Sequence, residues 1–245
     1  MSIKKLLFAG VIAVAAALGL SSCVNIGGVN SVRGRGSLVS RDFNVGSFTT
    51  INISGGYEVV FTESNDTRVT VNMQENLFDY LNVNVSGSNL AIDSSRSFNT
   101  GRNNTPRIYI YAPTLHGMTI DGAVSTINWS TVRTDDFFID ASGAANVNLD
   151  LEVNSLTINA AGAANLNLSG RAVTSDISSA GAVNVSAFNL ETERTIITVS
   201  GAGSAHVHAS YTLEATINGV GSIRYTGNPE VTRNVFGLGT IRARD

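Results

Sequence analysis

The sequence contains almost no cysteine, and this limits how the protein can be stabilised. Cys23 is the single cysteine among 245 residues, so no disulfide can form within the chain. An exported domain without a disulfide framework must be stabilised by the burial of apolar side chains. The residues from Cys23 onward, about 220 of them, are enough to form a sizeable core.

Lysine is nearly absent as well. Lys4 and Lys5 are the only two, and both lie in the N-terminal segment. The remainder of the chain carries 14 arginines and 19 acidic residues, a formal charge of −5. This mild acidity argues against nucleic acid or a polybasic lipid site as the main partner, and we predict no nucleic-acid partner.

The most apolar stretch is too short to cross a membrane. It runs from Leu6 to Leu20, fifteen residues, whereas a transmembrane helix needs about 20. It follows two lysines and precedes Ser21 and Ser22, the order of a charged region, an apolar region and a small-residue cleavage site in a signal peptide. A signal peptide over residues 1–22 is the favoured interpretation, and a membrane anchor is the alternative.

Leu20-Ser21-Ser22-Cys23 resembles the lipobox of bacterial lipoproteins. The resemblance implies cleavage after Ser22 and attachment of a diacylglycerol to Cys23, which would tie the protein to a membrane through its lipid. An ordinary secretory signal followed by a free thiol is the alternative. Val24 to Gly28 lacks the aspartate associated with inner-membrane retention. We therefore expect an outer-membrane lipoprotein, on the periplasmic side or at the cell surface.

Glycine is plentiful and recurs at a regular spacing. From Ile139 onward the chain repeats Ile-x-Ala-x-Gly-Ala-x-Asn-Val-x-Leu, and its glycines are separated by 19, 19, 20, 18 and 18 residues. A period near twenty is a signature of stacked repeats. With one earlier member, these corner glycines are Gly122, Gly143, Gly162, Gly181, Gly201, Gly219 and Gly237.

Positions at one distance from the corner glycine form a column. The columns four and two residues before it, and four and six after it, are almost purely apolar or small. Period-two alternation on both sides of a glycine predicts a strand, a tight bend and a second strand, with one face inward. Propeller blades need about 40 residues, and leucine-rich repeats need a frame that is missing here. We predict an all-β fold, a parallel right-handed β-helix (β-solenoid) with coils of about 18–21 residues.

The column three residues after the corner glycine is polar. Small side chains that form hydrogen bonds can make a ladder between successive coils and can satisfy backbone groups at the bend. Six solvated turn residues without mutual contact are the alternative. The predicted corner ladder comprises Asn146, Asn165, Asn184, Ser204, Ser222 and Thr240.

The repeat pattern also predicts the domain organisation. Residues 23–36, rich in Gly, Asn and Ser, are expected to form a flexible tether. Residues 37–245 are expected to form one β-solenoid, with less regular coils over 37–113 and regular repeats over 114–245. In the irregular part, Val83 to Gly87 carries the same strand–glycine signature, and Gln74 to Leu81 has the only plausible helical turn.

Several segments resemble the putative auto-transporter adhesin, head GIN domain family. They are Arg41 to Phe43, Ile53 to Val59, the serial Gly-Ala turns, and Tyr225 to Pro229, so the resemblance spans about Asp42 to Thr240. It implies a pectin-lyase-like β-helix in the envelope of Gram-negative bacteria and a role in adhesion, without established catalytic residues. The chain departs from the Gly-small-Gly turn of that family at Gly143, Gly162 and Gly181, so the turns there are expected to differ in backbone conformation.

No catalytic constellation is visible in the sequence, and we predict neither an enzyme nor a cofactor. The outward column five residues after the glycine contains no carboxylate, although glycan hydrolysis needs paired acids. His206 and His208 share one strand face, but two ligands do not make a zinc site, so no metal site is predicted. The aromatic residues Trp129, Tyr57, Tyr109, Tyr111 and Tyr211 do not share a column.

Three functions remain open at this point. The first is a noncatalytic envelope lipoprotein that binds a protein, a glycan or a surface through a long polar face. The second is a carbohydrate-active enzyme or a glycan-binding module, motivated only by analogy of fold. The third is a structural or assembly factor of the periplasm. The partner and the oligomeric state are not encoded in any visible motif.

Overall fold

A computed structural model describes residues 31–126 and 129–244. It contains a 3₁₀ helix at Glu75–Tyr80, and no helix of the described residues is long and apolar enough to cross a membrane. The strands are β1 (Val32–Arg33), β2 (Leu38–Phe43), β3 (Thr50–Glu63), β4 (Arg68–Gln74), β5 (Leu81–Ser86), β6 (Asn89–Ser94), β7 (Phe98–Asn99), β8 (Arg107–Ala112), β9 (Gly117–Thr126), β10 (Val132–Ala141), β11 (Ala144–His208), β12 (Thr212–Thr226), β13 (Glu230–Val235) and β14 (Leu238–Ala243).

The expectation of an all-β chain is confirmed, and the strands of neighbouring repeats pair in parallel. Ile139 of β10 lies opposite Ile158 of β11, which is one repeat later. Gly201 of β11 likewise lies opposite Gly219 of β12. Because each residue faces the equivalent residue of the next repeat, the columns read from the sequence are columns in space.

Strand β11 shows the same stacking within a single element. It is 65 residues long, and a straight strand of that length would extend about 215 Å. Its successive parts instead lie beside one another. For example, the side chain of Asn184 donates a hydrogen bond to Asn165, nineteen residues earlier, at 3.2 Å. The chain therefore passes repeatedly along one axis without a break in strand conformation.

The core lies inside these stacked repeats. Period-two alternation directs the four apolar columns inward, and their members from Ile139 to Ile223 are buried. The exceptions come at the last repeat, where Val235 is 43% exposed and Ala243 is also exposed. No further repeat of the described chain follows to cover them, so burial ends where the stack ends.

The corner glycines bring successive backbones into close contact. A Cβ atom built on Gly181 would lie 2.5 Å from the carbonyl oxygen of Gly162, and one built on Gly162 would lie 2.7 Å from that of Gly143. Both glycines also have positive φ, +105° and +95° respectively, where a side chain is strained. Sterics and backbone conformation thus both favour glycine at this corner.

The N-terminal part has a different topology from the regular repeats. β3 lies between β6 and β9, and it pairs in parallel with both. By contrast, β2 pairs with β4, β4 with β8, and β5 with β6 in antiparallel fashion. The helical turn predicted within Gln74–Leu81 is confirmed at Glu75–Tyr80. This end of the sheet therefore mixes parallel and antiparallel pairs, and β5 and β6 form a hairpin.

Gly87, which ends the glycine signature at Val83 to Gly87, belongs to a hairpin. This residue lies in the turn between β5 and β6, where Ser86 faces Asn89, and it has φ +60°. A two-residue hairpin turn needs positive φ, so glycine occurs there for a local reason. The member of the corner column in this part of the chain is Gly55, which lies opposite Gly122.

The last residues of the predicted tether include a short strand. Val32 and Arg33 pair in parallel with Phe98 and Asn99, and Val32 packs against the core. The backbone carbonyl of Arg33 also accepts a hydrogen bond from Asn76 at 3.0 Å. An apolar side chain and backbone pairing thus attach residues 32–33 to the domain, and residues 23–30 of the predicted tether lie outside the described part of the chain.

Replacement of a corner glycine should destabilise the stack. We expect Gly181→Ala to lower the free energy of unfolding by about 1–3 kcal/mol, because the new Cβ would meet the carbonyl oxygen of Gly162 at a strained φ. Urea denaturation followed by circular dichroism measures the change. The control is Gly56→Ala, where a Cβ meets nothing within 4 Å, and equal destabilisation by both variants would contradict the steric account.

Candidate functional site

The outward side chains after each corner form a continuous polar surface. We call it the asparagine face and define it as the columns three and five residues after the corner glycines. In the first of these columns, Asn184 donates to Asn165 at 3.2 Å, and the Ser204 hydroxyl donates to Asn184 at 2.9 Å. The structure thus joins three residues of the predicted corner ladder through side-chain hydrogen bonds.

The other three residues of the predicted ladder occupy equivalent positions without such bonds. Asn146 lies opposite Ser125, and Ser222 lies opposite both Ser204 and Thr240. None of these pairs forms a side-chain hydrogen bond within the described part of the chain. Asn146 and Asn165, both asparagines and one repeat apart, are likewise not joined by a side-chain hydrogen bond in the described residues. The hydrogen-bonded part of this column is therefore Asn165, Asn184 and Ser204.

The column five residues after the glycine forms a second set of hydrogen bonds. The side chain of Asn167 donates to Asn148 at 2.8 Å. The backbone N–H of Asn148 donates to the hydroxyl of Thr126 at 2.7 Å, and Thr126 is completely buried. A buried hydroxyl therefore holds the strand that carries the exposed amides, and the amides present fixed donors and acceptors to solvent.

An open groove lies on another side of the repeats. It has a volume of about 1050 Å³ and is lined by His116, Arg133, Asp135, Glu152, Asn154 and Arg171, among others. Arg133 forms ion pairs with Glu152 at 3.0 Å and with Glu63 at 3.4 Å. The hydrogen bond from Arg133 to Glu152 raises the pKa of the arginine.

Two carboxylates line this groove, and each has a polar partner. Asp135 of β10 and Glu152 of β11 lie on neighbouring parallel strands. Asn154 donates to Asp135 at 2.7 Å. Glu152 pairs with Arg133, and its side chain is 56% exposed.

A cationic cluster lies at the C-terminal end of the asparagine face. The ring of His206 stacks on Phe188 with centroids 4.7 Å apart and an interplanar angle of 7°. The guanidinium of Arg244 lies 4.7 Å from the centre of the same phenyl ring. Burial, then the charge of Arg224, then that of Arg244, lower the pKa of His206. His206 and Arg224 belong to the column five residues after the corner glycine, which the sequence analysis considered. Phe188 and Arg244 lie seven residues after their corner glycines, outside the columns that it considered.

The two histidines considered as metal ligands have separate surroundings. His206 stacks on Phe188, whereas Nδ1 of His208 lies 3.3 Å from the hydroxyl of Thr226. Within residues 31–126 and 129–244, no group of three or more His, Cys, Asp or Glu side chains is placed to hold a metal ion. The two rings therefore take part in different side-chain contacts, not in a shared site.

The aromatic residues do not form one platform for sugar rings. Tyr57 is buried in the core, and Trp129 packs on Phe61 while its indole N–H donates to the backbone of Val59 at 2.8 Å. Tyr111 lies beneath the guanidinium of Arg68, and Tyr211 is 66% exposed at a turn. Packing accounts for most of these rings. Cys23 and the signal segment lie outside the described residues.

These features define an all-β repeat protein with a hydrogen-bonded polar face. Residues 47–229 match the family described as "Putative auto-transporter adhesin, head GIN domain". The chain belongs to this family, and the resemblance seen in its motifs is confirmed. No match was found among curated proteins.

Solved structures share the fold. A crystal structure described as a "putative adhesin" from Bacteroides fragilis NCTC 9343 has 25% sequence identity and a TM-score of 0.83, over 87% of this chain and all of that one. A "putative adhesin" from Parabacteroides merdae ATCC 43184 has 23% identity and a TM-score of 0.68, over 88% of this chain and all of that one. A "putative lipid binding protein" from Parabacteroides distasonis ATCC 8503 has 20% identity and a TM-score of 0.70, with the same coverage.

The pKa of His206 provides a test of the cationic cluster. We expect an NMR titration of its imidazole to give a pKa below the ordinary value of about 6.5, and Arg224→Gln to raise it by removing a nearby positive charge. Arg171→Gln, in the groove, should leave it unchanged. Because the unfolded chain takes up this proton first, His206 should reduce stability as the pH falls through about 6.5. An unchanged pKa in Arg224→Gln would show that the two side chains do not interact.

Proposed function

We propose that the protein is a noncatalytic cell-envelope lipoprotein that binds a partner or surface through the asparagine face of a right-handed parallel β-helix. Parallel pairing between residues 18 to 21 apart supports this architecture. The right-handed sense follows from the strong preference of parallel crossover connections for that hand. Residues 37–245 would then form one domain.

The hydrogen-bonded asparagine columns carry the functional part of the proposal. A flexible polar surface loses side-chain entropy when it binds, and this reduces the affinity. Here neighbouring repeats already hold the amides, as in the pairs Asn148–Asn167 and Asn165–Asn184. A repeated array also allows many weak contacts to add along one extended partner. Membership of an adhesin-like family agrees with this role.

Attachment through Cys23 would place this face in the envelope. Two or more acyl chains anchor a protein stably, whereas a single chain does so only marginally. The motif Leu20 to Cys23 supplies the sequence for such acylation. We take the location to be the outer membrane of a Gram-negative bacterium, with the domain directed to the cell surface.

Removal of the acylation site tests the anchor. We expect the wild-type chain to fractionate with membranes, with a mass that includes diacylglycerol on Cys23. Cys23→Ser should lack the mass of the diacylglycerol and should keep its signal segment, because the acceptor sulfur is absent. Ser22→Ala, which keeps a small residue at the cleavage site, serves as the control. A Cys23→Ser protein that is cleaved and membrane-bound like the wild type would show that Cys23 does not carry the anchor.

The asparagine face is tested on whole cells. Cells that carry the full chain should be retained on at least one of immobilised mucin, fibronectin or peptidoglycan, relative to cells without it. Replacing Asn165, Asn167 and Asn184 by Ala should abolish most of this retention. The matched control replaces Thr157, Asn159 and Ser178 by Ala, exposed polar residues before the corner, and should retain binding.

Two results would contradict the proposal. One is equal loss of retention in both triple variants, which would show that the asparagine face has no special role. The other is a protein that resists protease in intact cells but is degraded after lysis. That second result would place the domain inside the envelope and would favour the structural or assembly role.

A further inference from the structure

The C-terminal end of the asparagine face carries three arginines in a compact arrangement. Arg224 of β12 lies directly opposite Arg242 of β14 in a parallel register, so their Cα atoms are about 4.8 Å apart. Arg244 follows directly after the end of β14, and its backbone N–H donates to the carbonyl oxygen of Tyr225 at 2.8 Å. All three side chains are exposed. The two outermost repeats thus present several guanidinium groups in one direction.

Three other arginines of the described residues form ion pairs with carboxylates, and these three do not. Arg107 pairs with Glu58, Arg133 with Glu152 and Arg171 with Glu193. Within the residues that the structure describes, none of Arg224, Arg242 and Arg244 forms an ion pair. Like charges at this spacing repel one another, and an external anion would relieve the repulsion.

The surroundings of the arginines indicate which kind of anion fits. The column that contains Arg224 and Arg242 continues towards the N terminus through His206, Ser186, Asn167 and Asn148. A cationic end therefore joins a track of neutral donors and acceptors. A polymer with many hydroxyl groups and recurring acidic groups can use both parts, and guanidinium groups bind carboxylates with two parallel hydrogen bonds.

A lipid surface fits this arrangement less well. The exposed apolar side chains of the last repeats, Val220, Phe236 and Leu238, flank the corner glycines and are not interleaved with the arginines. Leu238 lies four residues before Arg242, about 13 Å along the strand. The ring of Phe188 is covered by His206 and Arg244 and is not free to insert.

We propose that Arg224, Arg242 and Arg244 form a binding site for the carboxylate groups of an acidic polysaccharide, whose hydroxyl groups lie along the neighbouring asparagine face. This proposal rests on the proposed adhesive function and specifies the class of its partner. Several charge contacts along one chain add together, so moderate affinity arises without a deep pocket. Salt weakens such contacts because the charges are exposed.

Binding of polygalacturonate to the detergent-solubilised full chain tests the proposal. We expect measurable binding at low ionic strength that declines as salt is added, with no binding of neutral dextran. Replacing Arg224, Arg242 and Arg244 by Gln should weaken binding by about tenfold or more, since three charge contacts are lost. The control variant replaces Arg102, Arg171 and Arg194 by Gln and so has the same change in net charge. Its affinity for polygalacturonate should be within about twofold of that of the wild type.

Each of four results would overturn the proposal. The first is that the wild type does not bind polygalacturonate. The second is that both triple variants lose affinity equally, which would make net charge the only determinant. The third is that phosphatidylglycerol in the same detergent, or duplex DNA, competes more strongly than polygalacturonate, which would make a membrane or nucleic acid the partner. Whole-cell retention that is lost in the asparagine variant but kept in the arginine variant would refute this inference and leave the adhesive function standing.

Discussion

The stack depends on one steric constraint, the close approach of backbones at the corner. Every corner glycine from Gly122 to Gly237 lies so close to the previous one that an added Cβ would meet backbone atoms within 3 Å. Once the corners coincide, all residues at one distance from them are brought into columns. The same contact therefore aligns the buried apolar columns and the exposed asparagine columns, so it determines the positions of both the core and the polar face.

This constraint explains how much of the fold the sequence could reveal. Residues after Ile139 repeat with the corner glycine as a fixed reference, and the pairing of Ile139 with Ile158 follows from counting. Before Gly122 that reference is lost, because Gly55 and Gly122 are 67 residues apart although they lie opposite each other. Gly87 has the same local pattern as a corner but forms a hairpin turn. Local alternation cannot separate a hairpin from a repeat.

The candidate site was only partly visible for a different reason. The column analysis located Asn165, Asn184 and Ser204, which contact their nearest equivalents. It could not find the contact between Arg244 and Phe188, because these residues are 56 positions apart and Arg244 reaches across intervening repeats. A column analysis considers only contacts between equivalent positions of neighbouring repeats, whereas a long side chain can reach past its neighbouring repeat. Contacts between arginines and aromatic rings can therefore be identified only from a three-dimensional structure.

The exposed asparagine hydrogen bonds have a larger physical consequence for binding than for folding. A hydrogen bond between exposed amides replaces bonds to water and adds little to stability, about 1 kcal/mol at most. The same bond restricts Asn167 and Asn184 before any partner arrives, and that restriction lowers the entropy that binding must remove. In the core, by contrast, burial at Ile158 and Leu166 stabilises the stack directly. The inward columns thus maintain the fold, and the outward columns derive their rigidity from it, which is the property that an extended recognition surface requires.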